Sequence, residues 1–241
     1  MNSDLAVFSA VSRHYGPTQV QAGQFFVSYN SVLTLAYEGF SRTLLDVKRH
    51  VESAMHGVLR PENPGSKWPK TTLGCLVKNK TPRSSQIKTL RAICCDFTGQ
   101  LRSLSDDDRR VPIGELKVVV FGCRTLEKRL FSLGIRLDAA VAGDDGPPQE
   151  HVDAVQRVMA QFAPAEHQRY YPKLKPDGRI LKTYYRQPHT EATLIADVSL
   201  SGKARDLVCA FCREVDVQMP GPYAWFDESS WHLTVRALVP R

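Results

Sequence analysis

Apolar residues along the chain switch repeatedly between a period of two and one near 3.6, the periods of strands and helices. Phe25 to Tyr37, FFVSYNSVLTLAY, is rich in aromatic and β-branched residues and predicts a strand. Ser41 is placed to cap a helix with Leu44, Leu45, Val47, Val51 and Ala54 on one face, ended by Gly57. The prolines and glycine of RPENPGSKWP mark a loop, and Lys70 to Val77 predicts a second strand. A second helix fits Ser85 to Leu101, where Ile87, Leu90, Ile93, Cys94 and Phe97 share a face. Strands follow at Val111 to Phe121 and Arg129 to Asp138. After the break at Gly143 to Pro148, Val152, Val155, Val158 and Phe162 define a helix, and 163–189 reads as irregular. Thr193 to Leu200 predicts a strand, Gly202 to Val215 an amphipathic helix, and Trp231 to Val239 a last strand. Residues 1–24 are weakly patterned and read as a loose N-terminal lead. Elements of both kinds with several hairpins predict an α+β or mixed α/β class.

Composition narrows the class further. With 241 residues, 42% hydrophobic and 24% charged, the chain is long enough for a sizeable core and too apolar for disorder. No window approaches the ~18 apolar residues of a membrane span, so no membrane partner is expected. Asp4 and the lack of a basic, apolar leader argue against a secretory signal. Six cysteines are too few for a disulfide scaffold, so a reduced protein of the cytoplasm or nucleus is expected.

The net charge of +7 is unevenly distributed. Residues 63–95 carry Lys67, Lys70, Lys78, Lys80, Arg83, Lys88 and Arg91 with no Asp or Glu. A second basic stretch, 169–186, sets six cations against Asp177 and interleaves them with Tyr170, Tyr171, Tyr184 and Tyr185, ending at Arg186. Two such segments point to an anionic partner, the plainer alternative being two solvated faces.

Common chemistries are missing. Cys209 and Cys212 have metal-ligand spacing, but they lie within a helical apolar face and lack a second pair, so packing accounts for them and no metal is expected. The histidines form neither HExxH nor HxH, and no P-loop, GxGxxG or GxSxG occurs. No cofactor is implied. His189-Thr190-Glu191 reads as a loop.

The last strand reads Ser230-Trp231-His232-Leu233-Thr234-Val235-Arg236. Residues two apart on a strand share a face, so His232 and Thr234 project together while Leu233 and Val235 turn to the core. A histidine beside a hydroxyl can hold a phosphate oxygen and move a proton near neutral pH. This strand closes a strand–helix–loop–strand unit, and the first half of the chain contains the same unit. There the closing strand, WPKTTLGCL, pairs Lys70 with Thr72 at the same spacing.

On these residues the chain resembles the 2H phosphoesterase superfamily, the LigT-like and cyclic-phosphodiesterase proteins. The resemblance covers about 25–138 and 192–239 and implies a two-lobed, pseudo-symmetric α+β fold with antiparallel sheets flanked by helices. Residues 25–241 would form one such domain with an insertion around 139–190. It further implies metal-independent chemistry on 2′,3′-cyclic phosphates or other RNA-end and nucleotide phosphoesters, with His232, Thr234, Thr72 and Lys70 as the catalytic set.

Lys70 departs from the pattern, standing where the family has its first histidine. An unperturbed lysine, with a pKa of about 10.4, is a fixed cation at neutral pH. It binds phosphate well but exchanges protons only if burial or neighbouring cations depress its pKa. Two outcomes are open: Lys70 assists His232, or the site binds phosphate with degenerate catalysis. Lys67, Lys78, Lys80, Tyr184, Tyr185 and Arg186 are candidate phosphate or RNA contacts, and Trp68 is placed to stack a base. The alternative is a non-enzymatic RNA-binding or protein-interaction module working through 169–186, or through a protein partner held by 139–190. Sequence leaves the oligomeric state open.

Overall fold

The computed structural model describes residues 2–28, 31–62, 67–77, 80, 82–140, 146–160 and 185–240, with side chains from residue 6 onward. Its first half runs α1 (Asn2–His14), β1 (Thr18–Val27), β2 (Leu33–Tyr37), α2 (Arg42–Ala54), β3 (Lys70–Leu76) and α3 (Ser84–Ser103). The short α4 (Asp106–Arg109), β4 (Arg110–Ile113), β5 (Glu115–Phe121), β6 (Arg129–Arg136) and α5 (Gln149–Ala160) follow. The chain ends with β7 (Glu191–Asp197), α6 (Gly202–Gln218), β8 (Tyr223–Trp225) and β9 (His232–Ala237). Among the described residues every strand pair is antiparallel. One sheet has the order β4-β1-β2-β3-β8 and the other β6-β5-β7-β9, so the class is α+β.

Three boundaries differ from the sequence reading. Residues 1–24 are no loose lead, because α1 buries Phe8 and Val11 and β1 begins at Thr18 with Val20 and Ala22 inside. Gln19 and Gln21 alternate with Val20 and Ala22, but the register shift between Ala22 and Gln24 breaks the period before Phe25. The predicted strand Phe25–Tyr37 is a hairpin, β1 to β2, in which Ser28 N–H donates to the Val32 carbonyl (2.7 Å) and Ser31 has φ 57°. Val111–Phe121 divides at Gly114: β4, with Pro112 and its missing donor, takes the edge of the first sheet, and β5 enters the second. The helix expected to reach Phe162 is described as far as Ala160.

Helices cover the sheets as their apolar stripes require. Phe25 of β1 stacks on Phe211 of α6 with ring centroids 4.4 Å apart, and Phe97 of α3 meets both edge-on. Ser41 caps α2 by accepting the Leu44 N–H (3.2 Å), as its position in the sequence predicts. On its inner face α2 buries Lys48, whose ammonium donates to the Val235 carbonyl of β9 (2.8 Å) and pairs with Glu62. Arg236 of β9, only 2% exposed, pairs with Glu52 of the same helix. Among the described residues no helix is long and apolar enough to cross a membrane.

The two sheets meet through a chain of hydroxyls. Tyr37 OH and Thr71 Oγ1 lie 2.8 Å apart, and Thr71 Oγ1 donates to the His232 carbonyl at 3.2 Å. Since Thr71 donates to that carbonyl, Tyr37 is the donor in the first bond. Both side chains are fully buried, so removing the middle hydroxyl strands a donor on one side and an acceptor on the other. Thr71→Val is expected to lower stability by about 1–3 kcal/mol in urea unfolding. Tyr37→Phe, which leaves the Thr71–His232 bond in place, should cost less.

Candidate functional site

Period-two burial aims the two short motifs at solvent-accessible space. Along β3, Lys70 and Thr72 are partly exposed and Thr71 and Leu73 buried, and along β9 His232 and Thr234 alternate in the same way with Leu233 and Val235. Lys70, Thr72, His232 and Thr234 line one cleft of about 230 Å³. Trp68, Tyr185, Phe121 and Phe226 contribute aromatic walls. The volume falls just under the roughly 300–1,000 Å³ of typical small-molecule sites, a size suited to a group no larger than about one nucleotide.

His232 is held in a defined protonation pattern. Its Nδ1 lies 2.7 Å from the Ser230 carbonyl. A carbonyl only accepts, so Nδ1 carries the proton and, in the neutral ring, Nε2 keeps its lone pair. Burial pushes the imidazole pKa below its ordinary value, the Ser230 bond opposes that shift, and the positive charge of Arg129 and Lys70 adds to it. Asp197, paired in register with His232, is gripped by Arg129 and Lys117 at 2.7 Å each. Burial alone would raise the Asp197 carboxyl, but these two cations hold it low.

Lys70 is not the fixed cation that its residue type suggests. Its ammonium lies 4.0 Å from the centroid of the Trp68 ring. Burial, reinforced by the nearby charge of Lys48 and opposed by Glu62, pushes its pKa down to about 7. The site thus disfavours the charged form of Lys70, so its residue type alone does not fix it as a cation at neutral pH.

Several expected contacts lie elsewhere. Arg186 is no open phosphate ligand: it grips the Glu127 carboxylate at 2.8 and 2.9 Å and donates to the Trp225 carbonyl at 2.7 Å. Lys67 lines a second cavity of about 780 Å³ with Lys48, His151 and Arg236, outside the cleft lining. Lys80 is exposed and does not line the cleft. Lys78, Tyr184 and the rest of the basic stretch up to residue 184 fall outside the described residues. Cys209 and Cys212 both lie on α6, where burial pushes the Cys212 thiol up to about 12. Among the described residues no group of three or more His, Cys, Asp or Glu side chains is gathered to hold a metal.

The structure adds residues to the cleft that sequence patterning did not single out, chiefly Arg124, Leu126 and Phe226, together with Glu191 from the loop-like HTE segment. Nothing in FGCRTLEKRL marks Arg124, which reaches the cleft because the turn between β5 and β6 is folded against it. Gly74 follows the Lys70–Thr72 motif and pairs with Trp225 of β8, where an added Cβ would come within 2.7 Å of the indole.

Comparison of the chain with family models, with curated proteins and with solved structures found no match.

Below pH 7 Lys70 is mostly protonated and its charge disfavours imidazolium at His232. Burial is the main cause of the lowered His232 pKa and Lys70 the least, so Lys70→Met should move it upward only slightly, still below an ordinary histidine, in an NMR titration of the ring. Lys70→Arg, which keeps the charge, should hold it low.

Proposed function

We propose that the chain is a 2H phosphoesterase-like protein of two pseudo-symmetric lobes, which binds an RNA-terminal or nucleotide phosphate of the 2′,3′-cyclic class. The observation that supports this reading most directly is the convergence of Lys70 and Thr72 from one sheet with His232 and Thr234 from the other on a single cleft. Two hydroxyls and a lysine ammonium supply donors to phosphate oxygens, and the ammonium adds the charge that a phosphorane requires.

The same groups suit an acid–base pair. Neutral His232, its Nδ1–H given to Ser230, offers Nε2 to take a proton from water as the water oxygen bonds to phosphorus. Protonated Lys70 delivers its proton to the ribose oxygen as the P–O bond breaks, leaving a phosphomonoester and a free hydroxyl. Proton exchange with solvent then restores both groups. The roles require His232 above its lowered pKa and Lys70 below about 7, so the two ionisations bracket a window on the acid side of neutrality.

Hydrolysis of a 2′,3′-cyclic nucleotide should therefore rise with pH through the His232 ionisation and fall above about 7 as Lys70 loses its proton. His232→Ala should reduce kcat by about 10²–10⁴-fold, while Lys70→Met should abolish the alkaline fall together with most of the rate. Unchanged turnover in His232→Ala would falsify the assignment of the base. Tight phosphate binding without hydrolysis in the native chain would restrict the proposal to a binding site.

A further inference from the structure

The cleft has a second polar end. Thr234 of β9 pairs with Ile195 of β7, and Glu191 lies four residues from Ile195, roughly 13 Å along the strand at about 3.3 Å per residue. Glu191 also pairs with Phe121 at the end of β5, and the turn beyond carries Arg124. Arg124 Nη2 lies 3.1 Å from His189 Nε2 and 3.5 Å from Glu191 Oε2, and His189 Nε2 lies 3.0 Å from Glu191 Oε1. Arg124 and Glu191 both line the cleft.

The turn that presents Arg124 is held from several sides. Thr125 N–H donates to the Tyr185 carbonyl at 3.2 Å, and the Thr125 hydroxyl donates to Glu127 at 2.8 Å. The same Glu127 carboxylate takes both bonds from Arg186 and one from Asp227 N–H at 3.3 Å. Within this frame Leu126 adopts φ 59°, a left-handed conformation rare for leucine, and its side chain lines the cleft. Strain of this kind persists where surrounding bonds over-determine the backbone, and it concentrates at ligand-facing loops. The ion pair of Arg186 with Glu127 thus fixes the turn, and the turn places Arg124.

A guanidinium beside a carboxylate selects a particular ligand chemistry. A second phosphate would be drawn to Arg124 and repelled by Glu191. A neutral group with acceptors and donors on one edge satisfies both, and a nucleobase is such a group. Guanine alone among the four RNA bases sets two N–H donors, at N1 and N2, side by side for a carboxylate. Its O6 and N7 are the acceptors that arginine takes in pairs. Aromatic residues in the same cleft supply a face for the ring.

We propose that Arg124 and Glu191 read the base of the nucleotide whose phosphate occupies the Lys70, Thr72, His232 and Thr234 end, and that this base is guanine. The inference rests on the phosphate-end reading above. Isothermal titration of the full chain with the four nucleoside 2′-monophosphates tests it. The guanosine compound should bind about 5- to 150-fold tighter than the other three, the discrimination of one good bidentate pair. Glu191→Gln and Arg124→Lys should each erase most of that preference while retaining the native thermal melt. Thr72→Ala should weaken all four ligands by a similar factor and keep their ranking. Equal affinity for the four bases, with Thr72→Ala still weakening them, overturns base reading and leaves the phosphate site standing. Absence of measurable binding by any of the four overturns both.

Discussion

One hydroxyl sets the relation between the two halves of the cleft. Thr71 lies between Lys70 and Thr72, faces inward, and carries a hydrogen bond from Tyr37 into the main chain of β9 at His232. Its neighbours on either side are the residues that face the cleft, so the same pleat that buries Thr71 presents them. The bond ends on the backbone of His232 itself, which ties the position of one motif to the other without a shared strand ladder. Behind β9, Lys48 and Arg236 anchor the strand to α2 through the Val235 carbonyl and Glu52. Lys48 and Arg236 are themselves withdrawn from water, so loss of the Glu62 or Glu52 carboxylate would leave a buried cation without its counter-charge.

Electrostatics and packing act together on Lys70. The ammonium stands over Trp68, lies near Lys48 and is largely withdrawn from water, and each neighbouring charge has a partner of its own. The depressed pKa is a property of the place and not of the residue. An excess of positive charge that looks in the sequence like a general affinity for anions is largely distributed elsewhere: Lys67 at a second cavity, Lys80 in solvent, Arg186 in an ion pair.

Much of the fold was legible because burial follows simple periods. The stripes of α2, α3 and α6, the Ser41 cap, and the alternation of β3 and β9 are written in local residue order. The elements missed were those whose pattern is interrupted or short. In β1 a register shift between Ala22 and Gln24 breaks the period, β8 has three residues, and the β1–β2 turn lies inside an apolar run. For the site, a two-residue spacing on a strand sufficed to place Lys70 with Thr72 and His232 with Thr234. Arg124 was not legible, since its place depends on Glu127 meeting Arg186, a pairing across 59 positions of the chain that no local pattern encodes. Lys67 and Lys70 are likewise indistinguishable by type, and only the start of β3 between them separates their environments.

Gly74 shows how closely these parts are linked. With no side chain it admits the Trp225 indole against β3, and the carbonyl of Trp225 in turn receives Arg186 while the next residue, Phe226, lines the cleft. Even an alanine at 74 would meet the indole and press β8 outward, carrying the arginine anchor and an aromatic wall with it. A change on the cleft surface alters one contact, whereas a change at 74 reaches the arginine anchor and the aromatic wall together through the Trp225 indole.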